Sequence, residues 1–584
     1  MATTLSTKTG RVSRISGSVV FATGLDNIAK NNIVKIGKDH IIGEIVKIEN
    51  SVAIIQTYED TVGLEIGEVV IDTGNPLYAN LGPGLLGNIV DGLQRELPFL
   101  KEQMGPFLIK GIIEEKSKTI HSIHRFYPIV QRGDYIGPGT KIGYVLEKNF
   151  KHFILTPPIF EPDTIEFVVK ESEVSSEDIL IRTKSNQTVS LYQNWPIRIK
   201  RPILKQIMSN RHFYTGQRII DTFFPLKVGG DAVISGGFGT GKTVFIQSLS
   251  KYSIVDVVVV VLIGERGNEV ANALSEYLEL KDAFGNSLMD RTVLIVNTSN
   301  MPVSARESSI YLGITIAEYF RDQGYNVALV GDSLSRWAEA IREISGRLEE
   351  IPGEEGYPSY MGKALGEIFE RAGSVNTLDH EEASVTFLAS VSPPGGDFSE
   401  TVTQSALKVV GAFYALNTEL ARARHFPAVD WKLSFSLYGE GIAKDLKEAY
   451  PTWQPNRTKF LAILKLEEEI ERTVRLLGRD SLSEVQKSIL DMCNILKRSY
   501  LQQNAYDETD KNTSMQKQVL MLEAMSILWE LANQAIRNGE ISDVFFQQDF
   551  IEQFTRMWEI PESELHLIEV IIEKFSKGLV KDEL

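Results

Sequence analysis

Residues Gly236–Thr243 read GGFGTGKT, a G-x-x-x-x-G-K-T loop set between two apolar runs. Such a loop cradles phosphate: Gly236, Gly237, Gly239 and Gly241 let backbone N–H groups turn inward, with Phe238 and Thr240 between them. The helix expected to open at Lys242, Thr243 and Val244 adds the positive end of its dipole. Lys242 has the reach for the β- and γ-phosphates of a nucleotide, and the Thr243 hydroxyl can ligate Mg²⁺. DAVISG before the loop and VFIQSLSKYS after it supply the strand–loop–helix context that the chemistry needs.

Holding a nucleotide is not hydrolysing it, and two further stretches bear on the difference. VALVGDS puts Asp332 at the C-terminal edge of an apolar strand, where ligands gather in parallel α/β sheets and where a carboxylate can hold the water shell of Mg²⁺. VVLIGERGNE delivers Glu265 and Arg266 to the same kind of edge. A protein that only binds nucleotide gains nothing from a carboxylate near the γ-phosphate, which would repel it. A hydrolase needs one to orient and polarise the attacking water. Glu265 is therefore the expected water-activating residue and Arg266 a γ-phosphate contact; the alternative is a solvated Glu–Arg pair in a loop.

The elements that must position these residues follow from texture. Residues 1–75 alternate short β-rich runs with glycine turns and predict a small antiparallel barrel. Residues 76–201 continue with short strands broken by glycine and proline, a β-rich insertion with a linker. From 202 to 439 apolar strands (DAVISG, VVVVVLIGE, TVLIVNTS, NVALVGDS, SVTFLASVS) alternate with helical stretches, the pattern of a parallel sheet flanked by helices. Residues 440–584 lose the strands and become amphipathic helix, as in KFLAILKLEEEIERTVRLLGR. The fold class is thus multidomain, β followed by α/β followed by α.

Composition sets the outer limits. At 584 residues the chain is too long for one core, and 43% apolar with 24% charged residues excludes wholesale disorder. A net charge of −16 speaks against a general nucleic-acid binder, so no nucleic-acid partner is expected. The single Cys493 excludes an internal disulfide. The N-terminus lacks the apolar core of a signal peptide, and IVDVVVVVLIG is far short of a membrane span. The terminal KDEL, Lys581–Leu584, matches an ER-retention address but is read as coincidence, because that address works only on translocated chains.

Longer motifs are more specific. GGFGTGKT, GERGNE, NTSNMPVSARE, the run from Gly313 to Gly362 around VALVGDSLSRWAEAIRE, SPPGGDFSE and RARHFPAVDW together resemble the catalytic A subunit of V-type and A-type rotary ATPases. The likeness runs nearly end to end, and the β-rich insertion also fits that family. Type III secretion ATPases and the F-type β subunit lack the insertion. The resemblance implies an N-terminal β-barrel, the insertion, a central P-loop (RecA-like) α/β domain and a C-terminal helical domain. It implies ATP/ADP and Mg²⁺ as ligands, with Lys242 and Thr243 on phosphates and metal, Glu265 on the lytic water, Arg266 on the γ-phosphate and Asp332 on the metal's water shell. The family's aromatic adenine pocket places Phe426 of RHFPAVDW and Tyr506 of QQNAYD around the base, where stacking suits a flat heterocycle.

Three copies would alternate with three B subunits in an A3B3 ring, each B subunit supplying an arginine in trans. Central-shaft and peripheral-stalk subunits, and indirectly a membrane sector, complete the expected partners. The location implied is the cytoplasmic face of a membrane, peripheral, with H⁺ or Na⁺ chosen in a sector that this chain does not contain. Some positions depart from the family pattern: Thr401 stands where Pro is usual, Asp430 for Asn, Tyr414 for Trp and Tyr506 for Phe, and Thr240 replaces a common Cys. None touches Lys242, Thr243, Glu265 or Asp332. Two rival readings stay open: a homo-hexameric secretion or translocation ATPase, and a non-catalytic nucleotide-binding subunit, whose phosphate loop and GER glutamate are normally lost.

Overall fold

The computed structural model describes residues 8–104, 122–148, 150–253, 255–281 and 285–580; the KDEL tetrapeptide lies outside them. The chain divides into two compact units, the first made of Met1–Met208, Val255–Val391 and Ser399–Val409, the second of Ser209–Ile254, Ser392–Phe398 and Val410–Leu584.

The first unit begins with a closed barrel of six strands: β1 (Lys8–Ser16), β2 (Val19–Thr23), β3 (Asn32–Ile36), β4 (Ile41–Glu49), β5 (Val52–Thr57) and β6 (Val69–Pro76), in the order β1-β2-β5-β4-β3-β6. Alternation of apolar and polar residues turns Val12, Val20, Val34, Ile45, Ile55 and Val70 into one core, and closure leaves no free edge. The opening run GRVSRISGSVVFA, which reads as one β-rich stretch, makes two strands because Gly17 turns the chain at φ 58°.

The insertion has a core of its own. Two four-stranded antiparallel sheets, one holding Asp163–Val168 and one holding Lys141–Glu147, enclose Phe126, Ile142, Val145, Ile154, Ile165 and Leu180. One hairpin reaches the helix Val303–Asp322: the His152 ring bonds Glu147 (2.6 Å) and the Tyr319 hydroxyl (2.7 Å), while Phe153 N–H donates to Gln323 just past the helix (2.9 Å).

The first unit also holds five parallel strands in the order Glu382–Val391, Asn326–Asp332, Val257–Glu265, Thr292–Thr298, Ile89–Val90, with Gly373–Asn376 antiparallel on the first of them. Its central strands are buried on both faces and read as continuous Val/Ile/Leu runs for that reason. The helix Val303–Asp322 packs on this sheet so closely that a Cβ at Gly313 would meet Val261 Cγ2 at 2.3 Å. Along its far end runs a buried charge network. Glu318 accepts from Arg371 Nε and Nη2 (3.0 and 2.6 Å) and from Arg201 N–H (3.1 Å), while Asp322 takes Arg201 Nε and Arg321 Nη2, both at 2.6 Å. Breaking a buried pair strands the partner charge. Glu318→Ala is therefore expected to lower unit stability by about 3–5 kcal/mol in denaturant titration. A loss under about 1 kcal/mol would mean that water reaches and rehydrates Arg371.

In the second unit Asp231–Gly236 runs parallel to Ala412–Leu416, which pairs antiparallel with Phe435–Ser436. Past Gly439 the described residues form helices and turns only, chiefly Trp453–Leu477, Glu484–Leu496, Met515–Arg537 and His566–Val580. The first of these stops at Gly478, φ 80°, and the second opens on a reciprocal Ser483–Gln486 capping box. Met515–Arg537 is the one described helix long and apolar enough to cross a membrane, but Met521, Leu522, Met525 and Leu528 are fully buried in the protein, which marks it as a core helix.

Candidate functional site

The phosphate loop belongs to the second unit. The strand Asp231–Gly236 ends in the loop, and the helix Lys242–Tyr252 starts directly behind it with Gly241 at φ 85° as its N-cap. Gly239 also sits at positive φ, 77°. Gly236 has no space for a side chain, since a Cβ there would lie 2.7 Å from Leu416 and 2.8 Å from Thr240 Oγ1. Thr240 is buried and donates its hydroxyl to Gly237 O (2.9 Å), bracing the turn from within. Lys242 Nζ donates to Gly236 O (2.7 Å) and Gly237 O (2.9 Å), so the ammonium is already folded over the loop. Phe238 is 90% exposed, and Thr243 and Val244 are exposed on the first helical turn.

Phe426 packs on this loop: a Cβ at Gly241 would stand 3.6 Å from its ring. The segment carrying Tyr506 is tied to the same place, because Gln503 N–H donates to Phe426 O (2.7 Å). Fully buried Arg218 holds that segment by donating to Tyr500 O (2.8 Å), Thr513 Oγ1 (3.0 Å) and Asp510. The Tyr506 ring is exposed, with its backbone N–H on Asn504 Oδ1 (3.0 Å).

The carboxylates belong to the first unit. Val257–Glu265 and Asn326–Asp332 are neighbouring parallel strands with Leu262 opposite Asp332, so Glu265 and Asp332 emerge at the same C-terminal edge. Gly264 directs this exit: at φ 65° its Cα lies so near Arg306 and Arg336 that a Cβ would meet them at 2.8–3.0 Å. Glu265 is half-buried and Asp332 buried; Arg266 is exposed and forms the N-cap of the helix Gly267–Glu279.

Burial, the negative charge of Asp332 and a hydrogen bond with Glu269 push the Glu265 carboxyl up to about 8, with Arg336 pulling the other way. Because the folded carboxyl titrates above its ordinary 4.5, the folded protein holds an extra proton between those values. Stability contributed at this group therefore falls as pH rises through the window and is lowest above it. In nucleotide-free, Mg²⁺-free protein, Glu265→Gln is expected to lose less Tm than the parent between pH 5 and pH 9, by about 1–2 °C. Parallel pH profiles would show that Glu265 ionises in the folded protein as it does in water.

Three residues at this edge escape notice in the sequence. Glu269 lies one helical turn beyond Glu265 within GERGNE, Arg336 lies four residues past Asp332 and pairs with Glu339 (2.9 Å), and Ser390 donates its hydroxyl to Asp332 Oδ1. The i, i+4 spacing could have exposed the first two; nothing local marks the serine. Together the edge offers a carboxylate poised near neutral pH, a second carboxylate and a guanidinium, which can accept a proton from water and neutralise phosphate oxygens. Among the described residues no group of three or more His, Cys, Asp or Glu could hold a metal by itself. That donor set suits Mg²⁺, which keeps several waters and takes phosphate oxygens alongside one or two carboxylates.

Known proteins match most of the chain. The ATP synthase alpha/beta family nucleotide-binding domain matches residues 216–436, and the C-terminal domain of V and A type ATP synthase matches 444–554. The ATP synthase barrel-sandwich domain of the same family matches 118–198 and the family's beta-barrel domain 12–74. The A-type ATP synthase A subunit of Staphylothermus marinus is 46% identical over 561 residues, covering 95% of this chain and 94% of the relative. Its counterpart in Thermococcus kodakarensis is 44% identical over 564 residues, 95% of this chain and 96% of the relative. The solved structure of the assembled ATPase EscN from the enteropathogenic E. coli type III secretion system shares the fold, with a TM-score of 0.63 and 21% identity over 88% of this chain and 99% of that one. With relatives this similar over nearly its full length, the chain belongs to the family of A-type ATP synthase A subunits.

Proposed function

We propose that this chain is the catalytic, ATP-hydrolysing subunit of a rotary V/A-type ATPase, which couples hydrolysis or synthesis of ATP to H⁺ or Na⁺ transport through a rotating central shaft. The observation that carries it is Glu265: a half-buried carboxyl at a strand end, next to Asp332, in a chain with an intact G-x-x-x-x-G-K-T loop. A chain that only held nucleotide would have no use for that carboxyl.

In this reading Lys242 and the loop glycines bind the β- and γ-phosphates, and Phe426 and Tyr506 stack on adenine. Glu265 orients the attacking water and accepts its proton, and Arg266 takes charge from the γ-phosphate. Thr243 and Asp332 hold Mg²⁺, the latter through water; when bound, the ion neutralises charge on the phosphate oxygens. Arg336, beside Glu265, is a second cation for the departing phosphate. The last arginine comes from a B subunit of an A3B3 ring, and shaft and stalk subunits link the ring to a membrane sector. The chain then works as a peripheral protein on the cytoplasmic face of that membrane. Substitution of Glu265 in the assembled complex, with nucleotide binding and turnover read separately, tests the assignment.

A further inference from the structure

We propose that Ser390 is a positioning residue for Asp332: it fixes the carboxylate plane that faces the Mg²⁺ water shell and touches neither nucleotide nor metal. The inference rests on the metal role proposed for Asp332. Strand Glu382–Val391 runs parallel to Asn326–Asp332 with Val330 opposite Leu388 and Gly331 opposite Ala389. One step further along both strands brings Ser390 opposite Asp332 with both side chains on one face of the sheet. Ser390 is fully buried, Asp332 is 8% exposed, and the Ser390 hydroxyl donates to Asp332 Oδ1.

Three physical points give this bond a task beyond packing. The last torsion of an aspartate is broad, so backbone placement alone leaves the carboxylate plane free to rotate. The Ser390 hydroxyl holds one carboxylate oxygen of Asp332, so turning the plane breaks that bond. Mg²⁺ demands near-ideal octahedral geometry and sheds water reluctantly, so a carboxylate acting through its water shell must be correctly oriented before the ion arrives. Hydrogen bonds that orient metal-facing groups usually change metal affinity by about 10–100-fold when removed.

The test uses the assembled complex and follows Mg²⁺ dependence of both ATP turnover and binding of a fluorescent ADP analogue. Ser390→Ala is expected to raise the Mg²⁺ concentration at half effect about 10-fold in both measurements. Mg²⁺-free nucleotide affinity should stay within about 2-fold of the parent, because the phosphate loop is untouched. Ser390→Thr keeps the hydroxyl and should restore the parent Mg²⁺ dependence. If Ser390→Ala does not assemble, Ser390→Cys carries the same comparison, since a thiol is nearly the same size and a weak donor. Unchanged Mg²⁺ dependence, or equal loss of nucleotide binding with and without Mg²⁺, would overturn the proposal. Asp332→Asn separates the two layers. If it shifts the Mg²⁺ dependence while Ser390→Ala does not, only the positioning role falls; if neither shifts it, the metal role of Asp332 falls as well.

Discussion

Glu265→Gln in the assembled complex is expected to bind ATP and ADP within about 3-fold of the parent and to turn ATP over about 10²–10⁴-fold more slowly, the usual contribution of a positioned base. The amide keeps the shape and can still hold a water, but it cannot take the proton. The environment of Glu265 favours that role: a carboxyl pushed up to about 8 is far more basic than an ordinary glutamate, and so better matched to proton transfer near neutral pH. Arg336 works against the rise and keeps the ionised form within reach. Separate reading of binding and turnover matters, because a general collapse of the strand end would weaken both. Retained turnover would move the catalytic assignment away from Glu265, with Glu269 the next carboxyl along the same helix start.

The purified chain alone is expected to hydrolyse ATP poorly and to gain about 10³–10⁵-fold when its B-type partner is added, the range that an arginine supplied in trans contributes to phosphoryl transfer. Transition-state charge spreads over the oxygens of the transferred phosphoryl group. Lys242 donates to Gly236 O and Arg336 pairs with Glu339, so each shares its charge with a neighbour and a further cation adds to what they offer. On the proposed function the remaining positive charge comes from an arginine of another chain, so hydrolysis is expected to depend on assembly. A purified chain with full activity by itself would sink this prediction and favour a self-sufficient homo-oligomer instead.

Much of the architecture was legible because strong local patterns coincide with strong burial. The five apolar runs expected as parallel strands are strands, since a strand buried on both faces must be apolar throughout. KFLAILKLEEEIERTVRLLGR forms most of Trp453–Leu477 because its apolar stripe has helical period and Gly478 ends it. The strand–loop–helix around GGFGTGKT could be read for a different reason: Gly239 and Gly241 take positive φ, so the glycines themselves mark the turn. Strand ends delivering Glu265 and Asp332 could be read in the same way, from where an apolar run stops.

Side-chain partnerships across long sequence separations could not be read so. Ser390 is 58 residues from Asp332, and the Arg371–Glu318 pair spans 53. No periodicity connects such residues; only the register of neighbouring strands and the seat of one helix on the sheet bring them together. The charge on Glu265 is likewise a property of burial and of Asp332 and Glu269, and none of these can be summed from the string GERGNE. By itself, then, the sequence determined the elements, the glycine-rich turn between strand and helix and the family, because each is encoded by contiguous residues. The tertiary structure alone decided which polar groups face one another at the C-terminal edge of the sheet, because strand register brings Ser390 to Asp332 and burial beside Asp332 and Glu269 raises the Glu265 carboxyl.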